Sequence, residues 1–207
     1  MSGVLDPAGP LPQALVVSGA ALAGYLLGSV NPAATFARLR NTDLRSVGSG
    51  NPGATNAARA FGVRVGVVIG LLDLLKGLIP VVVFGWLAGP GVAAVAGVAA
   101  VLGHVTSPFL RGRGGKGVAT SMGAVLGFQP VWALPVLAVF AVTVLLTRRI
   151  GVSAVAACLL LVPCALIWDG TWIDVAFAAA ITAVIVVRHR VNLRDVAVTE
   201  PSDPQDR

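Results

Sequence analysis

The chain has 207 residues, 56% of them apolar and 12% charged, with a net charge of +6 and a mean hydropathy of +0.86. A soluble domain carries about 25% charged residues, so the composition points to an integral membrane protein and leaves no room for a large soluble domain. The length fits roughly six or seven spanning helices of about 20 residues each, and the positive balance suits anionic headgroups or phosphate-bearing substrates, although a topological bias alone also produces it.

Residues 1–12 lack a basic run, so no cleaved signal peptide is expected. They form an extracytoplasmic segment ahead of a membrane domain at 13–195 and a polar tail at 196–207. The first span covers about Leu15 to Phe36 and is interrupted at Gly28–Pro32. Pro32 frees a carbonyl there, which Ser29 or Asn31 is expected to take up. A basic loop follows, with Arg38, Arg40, Arg45, Arg59 and Arg64 against Asp43. It contains the string Gly48-Ser49-Gly50-Asn51-Pro52-Gly53-Ala54-Thr55-Asn56-Ala57-Ala58-Arg59. The glycines let backbone N–H groups approach an anion, and Ser49, Asn51, Thr55 and Asn56 add uncharged hydrogen-bonding groups. A helix from about Ala54 puts Arg59 roughly one turn behind an N-terminus that favours phosphate. On composition alone, a flexible loop is the alternative.

The second span runs from near Val65 to near Trp86 and holds Asp73 and Lys76 on one helical face. Intramembrane charges are expensive, and these two can neutralise each other, so a structural pair facing the bundle is expected. Gly89-Pro90-Gly91 is a turn. A third span, about Val92 to Leu110, carries His104 near its end, where packing and substrate contact are competing roles. The second basic loop is Arg111-Gly112-Arg113-Gly114-Gly115-Lys116-Gly117. It is not a P-loop, because that template needs glycine at Leu110 and Ser or Thr at Gly117. Its logic is similar all the same: exposed amides and a lysine charge at the start of the next helix.

Val118 to Phe128 is eleven residues, short for a span. If it crosses, Trp132–Thr147, Ile150–Ile167 and Trp172–Val187 alternate so that 13 of the 15 Lys and Arg fall in loops on one side. The positive-inside rule then gives seven crossings, N-terminus outside and C-terminus cytoplasmic, with Trp86, Trp168 and Trp172 at the outer ends. Arg148, Arg149, Arg188 and Arg190 are most simply topology and headgroup charges. Cys158 and Cys164 face different sides of a helix and are packing residues. Glu200-Pro201-Ser202-Asp203-Pro204 has the composition of a disordered tail.

This alternation gathers Ser49, Arg59, Lys116, His189 and Asn192, with abundant glycine amides, at one membrane surface. That combination suits phosphate handling beside a bilayer. Scattered Asp43, Asp73 and Asp195 lack the spacing of a two-metal phosphotransferase, and neither histidine starts an H-x4-D pattern. No metal and no cofactor are expected.

The segments resemble the signatures of the bacterial membrane glycerol-3-phosphate acyltransferases that use acyl phosphate as donor, the PlsY type, over about residues 25–200. Gly48 to Arg59 matches GSGNxGATNxxR at every fixed position. Asp73-x-x-Lys76-Gly77 looks like the family's DxxKG. Gly103-His104 through Thr120 is similar to GHxxPxFLxFKGGKGVAT, and His189-x-x-Asn192-Leu193 with Glu200 resembles the third signature. The sequence departs from the pattern with proline at 108 rather than 107, Gly112 for an aromatic, Arg113 for a lysine, and Gly151 and Ala154 for serines. The resemblance implies an all-α seven-helix fold in the bacterial plasma membrane with a cytoplasm-facing site. It also implies acyl transfer to glycerol 3-phosphate, giving 1-acylglycerol 3-phosphate. Carried over, Ser49, Arg59 and Lys116 hold phosphates, Asn192 orients one, and His189 contacts the acceptor or assists its deprotonation. The resemblance brings Gly50, Asn51, Gly53, Thr55, Asn56, His104, Gly114, Gly115, Gly117 and Glu200 in as substrate-binding. The implied partners are the two phosphate substrates and the lipid bilayer, with no nucleic acid and the oligomeric state open. A transporter for a phosphorylated small molecule is the alternative, but it needs a polar path through spans whose charges away from their ends are only Asp73 and Lys76; a purely structural membrane subunit is a third reading.

Overall fold

The computed structural model describes residues 10–168 and 170–197, with side chains from 12 to 190. All regular structure among the described residues is helical. In chain order the helices are α1 (Pro10–Ser29), α2 (Pro32–Leu39), α3 (Ala54–Phe61), α4 (Val63–Ala88), α5 (Pro90–Val105), α6 (Val118–Phe128), α7 (Pro130–Thr147), α8 (Ile150–Leu159), α9 (Leu161–Ile167) and α10 (Trp172–Ala197), with a short 3-10 turn at Pro108–Leu110. Six segments among the described residues are long and apolar enough to cross a membrane: Pro12–Leu39, Val63–Ala88, Pro90–Leu110, Pro130–Thr147, Ile150–Ile167 and Trp172–Arg190. α6 is apolar but shorter. The break between α8 and α9 at Leu160 precedes Pro163, which has no N–H to give to the Leu159 carbonyl.

Lipid supplies no hydrophobic drive between helices, so close backbone approach must hold them together. Small residues provide it. α1 packs on α5, and a Cβ at Gly24 or Gly28 would strike the Ala96 or Ala100 carbonyl. α4 packs on α6, where side chains at Gly77 and Gly123 would collide with the Thr120 and Leu74 backbones. Trp132, Phe177, Ile181, Ile185 and Val125 fill the centre between α5, α6, α7 and α10. Leucines, valines and isoleucines elsewhere on α4 and α7 point outward, as a lipid-facing surface requires.

Asp73 and Lys76 pair at 2.9 Å inside the bundle, as their spacing predicts. The break before Pro32 is resolved differently from expectation. Ser29 Oγ donates to the Tyr25 carbonyl, and Asn31 caps α2 by accepting from Ala34 N. The open carbonyls at the end of α1 are taken by neighbouring helices: Lys76 Nζ donates to Val30 O at 2.6 Å and Ser107 Oγ to Ser29 O at 2.6 Å. Ser107 occupies the place where the resembled pattern has proline, and its hydroxyl supplies a buried bond that proline lacks. α10 does not end at Val187 but runs to Ala197, which puts His189 and Asn192 one turn apart on one helix.

Candidate active site

The first basic loop folds around Asn56. Its buried side-chain amide donates to Leu44 O and Val47 O at 2.9 Å each, while its Oδ1 accepts from Ser49 N. Gly50 adopts a left-handed φ of +66°, and its N–H bonds to Val47 O. Asn31 Nδ2 donates to Pro52 O at 2.9 Å and anchors the loop to the α1–α2 break. The chain then enters α3 at Gly53 with no side-chain cap.

The second loop lies on the end of α5. Gly114 N–H donates to Val105 O and Gly115 N–H to His104 O. Arg188, from α10, donates to the Gly114 and Gly115 carbonyls at 2.9–3.3 Å. These two amides, expected to be exposed to an anion, are therefore consumed in capping α5. The glycines serve close packing instead: a Cβ at Gly115 would run into the His104 ring. His104 is 4% exposed and sits beneath the loop, with Nδ1 3.2 Å from Thr120 Oγ1 and 3.5 Å from Asp73 Oδ1. Gly117 begins α6 in the left-handed region, again without a side-chain cap.

Both loops border a cavity of about 510 Å³. Ser49, Asn51, Gly53, Thr55, Asn56, Arg59, Lys116 and His189 line it, and so do Arg148, Arg149, Gly151 and Val152. Gly50, Gly114, Gly115, Gly117 and His104 support the walls without lining them. Glu200 and the side chain of Asn192 lie outside the described residues. The starts of α3, α6 and α8 all open into this space, and none has a side-chain cap. Each presents unfilled N–H groups and the positive end of a helix dipole. No described lining residue is a carboxylate. Burial, with the guanidinium groups of Arg188 and Arg59 nearby, holds the Lys116 ammonium below its ordinary value of 10.5. His189 Nδ1 lies 2.8 Å from Ile185 O, which can only accept, so Nδ1 carries a proton and Nε2 is the ring nitrogen left for another partner. Among the described residues no group of three or more His, Cys, Asp or Glu side chains could hold a metal ion.

A separate apolar cavity of about 110 Å³ adjoins the cationic one, shares Val118 and Phe140 as lining, and is bordered by Met122, Val125, Leu137, Cys158 and Leu161. Sequence reasoning missed Arg148 and Arg149 as cavity residues and Arg188 as a loop clamp, because charge at a span end is explained by topology alone. The available signal was position: Arg148-Arg149 directly precedes α8, as Lys116-Gly117 precedes α6.

A helical bundle with six membrane-length apolar segments, a cationic cavity with no carboxylate among its described lining residues and an apolar cavity beside it defines a membrane protein with a candidate anion site. The family profile for glycerol-3-phosphate acyltransferase matches residues 18–198, and the chain belongs to that family, the PlsY type; it is an acyltransferase. The glycerol-3-phosphate acyltransferase of Pseudomonas syringae pv. tomato is 44% identical over 174 residues, covering 83% of this chain and 90% of that protein. A crystal structure of PlsY (YgiH), an integral membrane glycerol 3-phosphate acyltransferase, in its glycerol 3-phosphate form superposes with a TM-score of 0.84 at 35% identity, over 87% of this chain and 92% of that one. The lysophosphatidic acid form gives a TM-score of 0.82 at 33% identity, over 87% and 91%.

Proposed function

We propose that the protein transfers an acyl group from acyl phosphate to the sn-1 hydroxyl of glycerol 3-phosphate, releasing 1-acylglycerol 3-phosphate and inorganic phosphate. The carrying observation is the cavity itself: Arg59, Lys116, Arg148 and Arg149 with three uncapped helix starts and no described carboxylate, beside an apolar cleft that shares Val118 and Phe140 with it. Two phosphates repel each other, and this arrangement offsets that repulsion while aligning them. Ser49, Arg59 and Lys116 hold phosphates, and Asn192 orients one. The acyl chain follows the cleft past Phe140. The acceptor oxygen bonds to the acyl carbon, the bond from that carbon to the phosphate oxygen breaks, and the hydroxyl proton leaves to His189 Nε2 or directly to the departing phosphate. Phosphate in a mixed anhydride is already a good leaving group, so no metal is required.

The site faces the cytoplasm of a bacterial plasma membrane and the chain crosses seven times. Supporting this, α6 begins at the cationic cavity and ends at Phe128 and Gln129 beside Trp86 and Trp168. Cysteines at Gly89 and Gly112 then label from opposite sides; labelling from the same side would sink the topology. The function is tested with purified protein, labelled glycerol 3-phosphate, and either acyl phosphate or acyl-CoA of equal chain length, free of interconverting enzymes. Lysophosphatidate should form with acyl phosphate. Equal or faster turnover with acyl-CoA overturns the donor, and no product with either donor overturns the reaction.

A further inference from the structure

We propose that the buried Asp73–Lys76 pair is a positioning device that holds both anion-binding loops in register. Lys76 Nζ grips Val30 O at 2.6 Å, and the next residue, Asn31, donates to Pro52 O at 2.9 Å, two residues before the start of α3. On the other side, Asp73 Oδ1 lies 2.9 Å from Lys76 Nζ and 3.5 Å from His104 Nδ1. The His104 ring fills the space that a side chain at Gly115 would need, and its carbonyl takes the Gly115 N–H at 3.1 Å, next to Lys116. Gly77 completes the device by letting Thr120 come close enough to reach His104. Asp73 is 2% and Lys76 5% exposed. At that depth neither charge can turn to water, so the pair has one arrangement, and the chain segments bonded to it inherit that arrangement. At the surface, exposed Arg45 makes the more direct link, from the first loop to Leu110 O at 3.3 Å.

The assigned consequence rests on the reaction proposed above, so the test reads loop order separately from turnover. Lys76→Met alone strands a carboxylate and is expected to fold poorly. The informative variant is Asp73→Asn/Lys76→Met, which removes both charges and keeps the volume. Hydrogen exchange should quicken at the amides of residues 44–56 and 112–117, with α7 and α8 unchanged. Asn31→Ala, which leaves the charges paired, should quicken the first loop alone. In steady-state assays the double variant should raise KM for both substrates by roughly tenfold or more, since ångström-scale misplacement is costly. Unchanged exchange in either loop of the double variant overturns the proposal, as does a lowered melting temperature with both KM values intact. Quickened loops in a protein that forms no lysophosphatidate would uphold the positioning role and sink the reaction instead.

Discussion

The two ends of the bundle each open a cavity, and the larger is the less equipped for binding an anion. At the tryptophan end, about 700 Å³ is bordered by Trp86, Trp168, Gln129, Thr171 and Asp174, with no Lys or Arg among the described lining residues. Three helices start there: α5 and α7 open with Pro90 and Pro130 and have no side-chain cap, whereas α10 is closed. Thr171 N donates to Asp174 Oδ2 at 2.9 Å, Asp174 N donates to Thr171 Oγ1 at 3.3 Å, and Gln129 Nε2 donates to Asp174 Oδ1 at 3.1 Å. This is a capping box, in which side chain and backbone satisfy each other. At the basic end, α3, α6 and α8 start uncapped and converge on four cations. What separates the two ends is charge: four cations line the basic cavity, and among the described lining residues the other has none and carries the carboxylate of Asp174.

The contrast breaks most sharply at Lys116. Lys116→Ala should lose about 2–4 kcal/mol of transition-state stabilisation, on the order of 10²–10³ in kcat/KM; near-normal turnover in a folded variant would refute the assignment. Because burial and its neighbouring guanidinium groups lower the Lys116 pKa, its charge is lost at a lower pH than an ordinary lysine's. Substrate binding that depends on the ammonium should therefore weaken on the alkaline side before pH 10.5. Lys116→Arg should move that limb upward, and an identical pH profile of KM in both proteins would remove Lys116 from the binding step.

Next comes Arg149→Gln. A phosphate contact worth about 1–1.5 kcal/mol predicts roughly a tenfold rise in KM, whereas a purely topological charge predicts none. The smallest effect belongs to the other end. Asp174→Ala removes the capping box and should cost about 1 kcal/mol in stability, seen as a lower melting temperature, with kcat unchanged. A loss of turnover at constant stability would mean that the tryptophan end takes part in the reaction.

Periodicity and charge made the span limits, the Asp73–Lys76 pair and the start of α3 at Ala54 legible, because each depends on residues close in sequence. The three signatures likewise named most of the cavity lining. What escaped was the assignment of hydrogen bonds between distant segments. Glycine at 114 and 115 suggested open amides, yet those N–H groups close α5, and the glycines are small because His104 lies beneath them. Arg188 carries the same charge as Arg190, but only Arg188 clamps the second loop. At the break before Pro32, the Val30 carbonyl is taken by Lys76, 46 residues away, while the nearby Ser29 hydroxyl turns back to Tyr25 O. Such choices are settled by which helices touch, and composition does not encode that.

α6 has 11 residues, so at 1.5 Å each it measures about 16 Å, roughly half the thickness of a bilayer's hydrocarbon layer. Its two ends are the floors of the two cavities. On the seven-crossing topology proposed above, the membrane-normal separation between the aqueous faces would be pinched at this one place, which would put the cationic floor below the plane of the headgroups. The acyl donor of the proposed reaction, held by that floor, would not have to be lifted from the leaflet. It would arrive by sideways diffusion in two dimensions, leaving only the water-soluble acceptor to come from above.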